Sequence, residues 1–159
     1  MAVPSTRLLR SSVALSGLGV LLAGYLAWVH FNTGSLVCNL GDCHTVQASE
    51  YATIGPLPVA LLGLGMYAAV CTANMLVLTK PESAVPVIFV SFAMLLAGTV
   101  FAAYLTWLEV AVIRAICQWC VVSAVFSVVL LVIQSVTVRE VLADSAGGAH
   151  ETGSHSLTS

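Results

Sequence analysis

Five cysteines carry most of the reactive chemistry in this 159-residue sequence: Cys38, Cys43, Cys71, Cys117 and Cys120. Cys117-Gln118-Trp119-Cys120 is a C-x-x-C pair, and four residues separate Cys38 from Cys43. Thiol pKa values fall in C-x-x-C contexts and at helix N-termini, and the thiolate is the nucleophile. On a helix the three-residue step sets both sulfurs on one face, Cys120 about 4.5 Å further along the axis than Cys117. Such a dithiol opens and closes with little backbone movement and exchanges through mixed disulfides. Asp42 is a good N-cap for a short helical run over about 43–50, which places Cys43 at a helix start too. Cys38 lies among Gly34, Asn39 and Gly41, where the backbone is permissive. A mobile pair beside a fixed pair makes an electron relay. Two structural disulfides also account for four such cysteines. A Zn or Cu(I) site built from them, alone or with His44 or His30, suits the ligand types.

What positions these thiols follows from composition. The chain is 59% apolar and 8% charged, with a mean hydropathy of +1.02, whereas soluble domains carry about 25% charged residues. Few charges and many aliphatics exclude a disordered chain. A net charge of -2 with five Lys and Arg residues excludes a nucleic-acid footprint. Charge-free stretches reach from Ser11 to Gly41, Leu57 to Thr79, Ser83 to Leu108 and Ala115 to Val138. Each is long enough for one spanning helix and none for two, since a span needs roughly 20 apolar residues. The expected fold is an all-α integral membrane protein: a four-transmembrane-helix bundle with helices near 12–31, 57–79, 84–108 and 115–137.

The first stretch, behind Arg7 and Arg10, is longer than a signal-peptide core and lacks a clear small-residue cleavage site. Arg7, Arg10, Lys80 and Arg139 fall on one side of such a bundle and Arg114 alone on the other. That imbalance predicts a cell-membrane protein with both termini, 1–11 and 138–159, in the cytoplasm. The loop 32–55, with its short helix, and the turn 109–114 are then extracytoplasmic, and four of the five cysteines share that oxidising face. Lys80-Pro81-Glu82 reads as a tight turn, and Pro56 and Pro58 suit the first turn of the second span. The tail from Asp144 is polar, low in bulk and expected to be disordered. Cys71 lies roughly 21 Å down its helix and reads as a small buried hydrophobe.

A relay that ends at the bilayer edge needs a lipid-phase acceptor, and a quinone is the natural two-electron carrier. Trp28, Trp107, Trp119, Tyr25, Tyr51 and Tyr104 all fall near the outer ends of their segments. They would wall a flat pocket beside Cys120 or form an interfacial aromatic belt. Ser49, judged by itself, reads as a local backbone cap.

The pattern Cys38-x4-Cys43-x5-Ser49, then Tyr51, Gly55-Pro56-Leu57-Pro58, Gly63 and Cys117-Gln118-Trp119-Cys120, resembles the vitamin K epoxide reductase family, most closely its microbial members. The resemblance covers about 12–137. It implies that Cys117 and Cys120 are the active-site pair, with Cys120 meeting the quinone. Cys38 and Cys43 match the loop shuttle, in an order the resemblance leaves open. Ser49 and Trp119 are the further expected quinone contacts. The implied activity is that of a quinone-dependent protein-disulfide-forming oxidoreductase. It uses menaquinone or ubiquinone as substrate, with no tightly bound cofactor and no metal. Many microbial members carry a fused thioredoxin-like domain for which these 159 residues leave no room. A separate secreted thioredoxin-fold, DsbA-like partner is therefore expected. Vertebrate members have an asparagine in the second helix and a tyrosine four residues after the second active-site cysteine. Here no asparagine lies near Pro58–Ala60 and the other position is Ala124, which favours a quinone over an epoxide. The contrasting reading is a non-enzymatic four-helix membrane protein with stapled or metal-bound outer thiols.

The relay requires residues 38 and 117 in one compartment. After reduction, a membrane-impermeant maleimide added to intact cells should label both cysteines. Labelling of one only after the membrane is broken would contradict the arrangement.

Overall fold

The computed structural model describes residues 5–32, 37–38 and 41–155. Four helices long and apolar enough to cross a membrane dominate it. They are α1 (Thr6–Phe31), α3 (Val59–Thr79), α4 (Ala84–Leu108) and α5 (Gln118–His155). A short α2 (Cys43–Ala48) lies in the connection between α1 and α3. α1 packs on α3, α3 on α4, α4 on α5 and α5 back on α1, closing a four-helix ring.

The bundle is turned outward relative to a soluble one. Leu21, Val90, Val100 and Val132 are well exposed, while Ser12, Ser16, Asn74, Gln134 and Thr137 are buried. Lipid solvates aliphatic side chains as well as a core does, so helix association depends on close packing and interhelical hydrogen bonds. Asn74 donates to Ser12 Oγ at 3.1 Å, tying α3 to α1. The Tyr67 hydroxyl lies 3.0 Å from Ser127 Oγ and donates to the Ser123 carbonyl, tying α3 to α5. Small residues let the backbones approach. A Cβ on Gly19 would lie 2.5 Å from the Tyr67 ring, so only glycine fits there.

Several boundaries differ from the sequence expectation. α4 matches 84–108, but α1 starts at Thr6, since Arg7 and Arg10 are good helix formers that need not stop a helix. Pro56 does not begin the second span. It lies with Gly55 (φ 61°) in the tight turn of a small antiparallel hairpin, β1 (Thr53–Ile54) and β2 (Leu57–Pro58), and only Pro58 caps α3. The last helix runs to His155, past 137 and through the stretch expected to be disordered from Asp144. No proline interrupts it, and Ala143, Ala146 and Ala149 favour helix.

Two connections build the loop end of the bundle. Asp42 caps α2 as expected, accepting from the Thr45 N–H at 3.1 Å and the Thr45 hydroxyl at 2.6 Å. These bonds hold its carboxyl below the ordinary carboxylate range. After Leu108 the chain widens into a π-helical turn, Glu109–Ile113, closed by Arg114 in the left-handed region (φ 54°). Arg114 and Ala115 both donate their N–H to the Glu109 carbonyl. Gly41 (φ 83°) then pairs antiparallel with Cys117, and the Asp42 N–H donates to the Ile116 carbonyl at 3.1 Å. A Cβ at Gly41 would collide with that same carbonyl.

Gly41→Val is therefore expected to undock the loop, because backbone strain and a backbone clash together amount to about 1–3 kcal/mol. Amide exchange over 42–46 should accelerate at least about fivefold. Unchanged exchange would show that this contact does not hold the loop.

Candidate active site

The loop contact brings the four cysteines of interest together. Cys43 and Cys117 are fully buried in one apolar cluster with Leu26, Val29 and Val46, and half-buried Cys38 and Cys120 pack against it. Cys38 and Cys43 form a disulfide with Cα atoms 6.1 Å apart. Cys117 and Cys120 are free thiols hydrogen-bonded to each other. The structure therefore holds an oxidised loop pair against a reduced helix pair. Cys71 stays apart on α3, its thiol 3.9 Å from the Val13 carbonyl.

Cys117 precedes α5 and does not lie within its first turn. Its carbonyl accepts the first bond of the helix, from the Val121 N–H at 3.1 Å. Its own N–H donates to Glu109 Oε2 at 3.0 Å. Its thiol faces the exposed donors of the helix start, where partial positive charge favours a thiolate. The hydrogen bond from the Cys120 thiol, then the N–H groups of Cys120 and Trp119, draw Cys117 down to about 7 against its burial. Of the two helix sulfurs it is thus the one drawn toward the thiolate, and it shares the apolar cluster with Cys43 of the loop disulfide.

Cys120 opens on the other side. Among the four it alone lines a cavity of about 500 Å³, enclosed by α1, α3, α4, α5 and the α2–hairpin segment. The walls are mostly apolar, including Leu26, Met66 and Phe101, and the polar groups at the loop end are Gln47, Ser49, Tyr51 and Glu109. The volume and the apolar body with a few convergent polar groups suit a flat ring with an apolar tail. Ser49 lies in the wall, and its hydroxyl already donates to the Val46 carbonyl at 2.7 Å. What it can offer a ligand is an acceptor lone pair.

Trp119 is placed elsewhere. It does not line the cavity. Its indole N–H donates to the Val37 carbonyl at 2.9 Å and its ring packs edge-on to Tyr25. Tyr25 in turn accepts from the Val37 N–H at 3.2 Å. The two aromatics hold the residue before Cys38, so Trp119 contacts the loop and not a ligand in the cavity. The i to i+2 step from Cys117 turns the indole away from the face that carries Cys120. Trp28, Trp107 and Tyr104 are also outside the wall, and of the aromatics expected there only Tyr51 is in it. Gly34 and Asn39 lie outside the described residues. Among the described residues no three His, Cys, Asp or Glu side chains gather into a metal-like set.

A family model, that of the vitamin K epoxide reductase family, matches residues 11–135. The chain belongs to that family. Comparison with curated proteins finds no match. As a vitamin K epoxide reductase family member, the protein is a membrane thiol oxidoreductase. Its matched segment begins inside α1 and ends inside α5, so it takes in the loop disulfide, the cavity and the C-x-x-C pair. Glu109, Gln47 and Tyr67 are the wall residues this family member reveals beyond its sequence signals.

The Cys117 thiolate is present above about pH 7 and lost below it. The ultraviolet thiolate absorbance of the protein with only the helix pair reduced should therefore show a transition at about 7. In a protein whose loop cysteines are replaced by serine, removing the Cys120 thiol as Cys120→Ala should move it up toward an ordinary thiol near about 8.5. An unmoved transition would contradict the assigned cause.

Proposed function

We propose that the protein takes electrons from a separate thioredoxin-fold dithiol protein outside the cytoplasm and delivers them to a membrane quinone, leaving a disulfide in the partner. The observation that carries this is the division of the four sulfurs. Cys43 and Cys117 are buried in one cluster at the loop contact, whereas Cys120 faces an apolar cavity. Cys38, half-exposed, is the sulfur a partner thiolate attacks; Cys43 leaves as a thiolate and exchanges with Cys117. Each exchange forms one S–S bond and breaks another, so the electron pair moves inward without a metal. The Cys117–Cys120 dithiol then closes to a disulfide and its two electrons pass to the ring held beside Cys120.

A quinone is the better-supported oxidant. A partner poised near about -120 mV is reloaded only by an acceptor of higher potential, which glutathione pools are not. Ala124, where vertebrate family members carry tyrosine, lines the cavity without a hydroxyl to offer an epoxide. The working unit is the membrane part, 12–137, in a cell membrane with 1–11 and 138–159 cytoplasmic. Ser49, Gln47 and Tyr51 orient the ring at the loop end. Trp119 holds the loop.

Purified protein in nanodiscs should reduce a short-chain quinone in the presence of a dithiol thioredoxin-fold protein, one quinol formed per disulfide. Cys120→Ala is expected to lower quinol formation by at least 10³-fold, because the sulfur facing the cavity is gone. Quinol formation at the wild-type rate by this variant would end the reading.

A further inference from the structure

Glu109 has no part in the thiol exchange described above, yet its placement is unusual. Among the described residues it is the one buried acidic or basic side chain, 3% exposed. No cationic side chain pairs with it among those residues. Burying an unpaired carboxylate is costly, and a glutamine would satisfy the same N–H equally well. The π-helical turn that begins at Glu109 aims its side chain back at the start of α5. There Oε2 accepts the Cys117 N–H at 3.0 Å and the carboxyl group hydrogen-bonds the Cys120 thiol. The same carboxyl lines the cavity that Cys120 faces. π-turns of this kind recur at functional sites.

We propose that Glu109 is the proton-transfer group of the oxidative half-reaction: it accepts the proton of the Cys120 thiol and delivers it to a ring oxygen of the quinone in the cavity. This rests on the thiol–quinone reading above and adds the path of the proton to it. The balance is complete. The Cys120 S–H bond breaks, an S–S bond to the Cys117 thiolate forms, and two electrons pass to the ring. One ring oxygen gains the Cys120 proton through Glu109 and the other gains a proton from water, giving the quinol. Glu109 ends as it began, ready for the next turnover.

The surroundings suit this task. From the start of α5 and the residue before it, the titratable groups facing Glu109 are the thiols of Cys120 and Cys117. The α2–hairpin segment contributes the Tyr51 phenol with neutral Gln47 and Ser49, and α3 the Tyr67 phenol. α1 contributes apolar Ala23 and Leu26, and α4 itself apolar Leu105 and neutral Thr106. Arg114, at the end of the same turn, is exposed, as are His44 and Glu50. With no fixed positive charge against it, the carboxyl is free to change protonation state within the reaction.

The test is single-turnover quinone reduction by the reduced full-length protein in nanodiscs, followed from about pH 5 to about pH 9. Glu109→Gln keeps an acceptor for the Cys117 N–H and removes the proton acceptor. It is expected to slow quinol formation about 10²-fold at neutral pH, in line with a lost general base. The variant's rate should then climb with pH, as hydroxide takes over, while the wild-type rate stays nearly flat above pH 7. Glu109→Ala with added acetate should recover at least tenfold of its loss, which a merely structural residue would not allow. A Glu109→Gln protein with the wild-type rate and profile overturns the proposal, and so does Glu109→Ala that acetate leaves unmoved. Infrared difference spectra of the wild-type protein during turnover need no variant. A carboxyl band that rises and falls is expected, and its absence overturns the assignment. If the wild-type protein itself forms no quinol, the thiol–quinone reading fails first; wild-type turnover beside an unaffected variant removes Glu109 alone.

Discussion

The backbone contact between Gly41–Asp42 and Ile116–Cys117 is the constraint on which the site depends. These two short segments come from opposite ends of the chain's membrane part, and neither is regular secondary structure where they meet. Their pairing sets the loop disulfide beside the start of α5 and excludes water from Cys43 and Cys117. It tolerates only glycine at 41, because the positive φ and the nearby Ile116 carbonyl leave no room for a side chain. A second clamp, Tyr25 and Trp119 around Val37, fixes the chain just ahead of Cys38. Thiol exchange needs sulfurs in line at van der Waals distance, so a loop held by two clamps can supply a geometry that a free loop cannot.

Below that contact the membrane environment determines the rest. Because lipid accepts the aliphatic exterior, the interior is released to hold polar groups and space. The hydrogen bonds of Tyr67 to α5 and of Asn74 to α1 tie the helices together across that interior. The cavity is walled in part by Tyr67, Ser123 and Ser127, with the segment from α2 to Ala52 across it and Cys120 and Glu109 at its loop end. One helix start thus serves two compartments: its first sulfur faces the loop, and its second, one turn deeper, faces the apolar space.

Much of this was legible in the sequence because the relevant signals are local. Charge-free runs mark the four spans, and the α4 boundaries follow from the charges at Glu82 and Glu109. Asp42 announces its cap. Cysteines at those spacings, in two segments that charge patterning puts at one end of the bundle, point to their own convergence. Other features depend on information that is not local. Glu109 looks like the charge that ends a span, and only the π-turn, which no periodicity encodes, folds it back under Cys117. Trp119 shares its segment with two reactive sulfurs, but the helical step turns it toward the loop. Pro56 carries the same restricted φ in a hairpin turn as at a helix start, so sequence alone does not choose between them. The continuation of α5 beyond the hydrophobic run reflects helix propagation in the absence of a stop, which composition underweights.

The account stands or falls on which sulfur meets which. Trapping in the Cys120→Ser variant is the direct measurement, since loss of the resolving thiol should freeze the exchange intermediate. Proteolysis and mass spectrometry of the alkylated protein are expected to give one mixed disulfide, joining the peptide of Cys43 to that of Cys117, with Cys38 alkylated. A bridge from Cys38 to Cys117 in place of it, or no bridge at all, would contradict the arrangement of the relay.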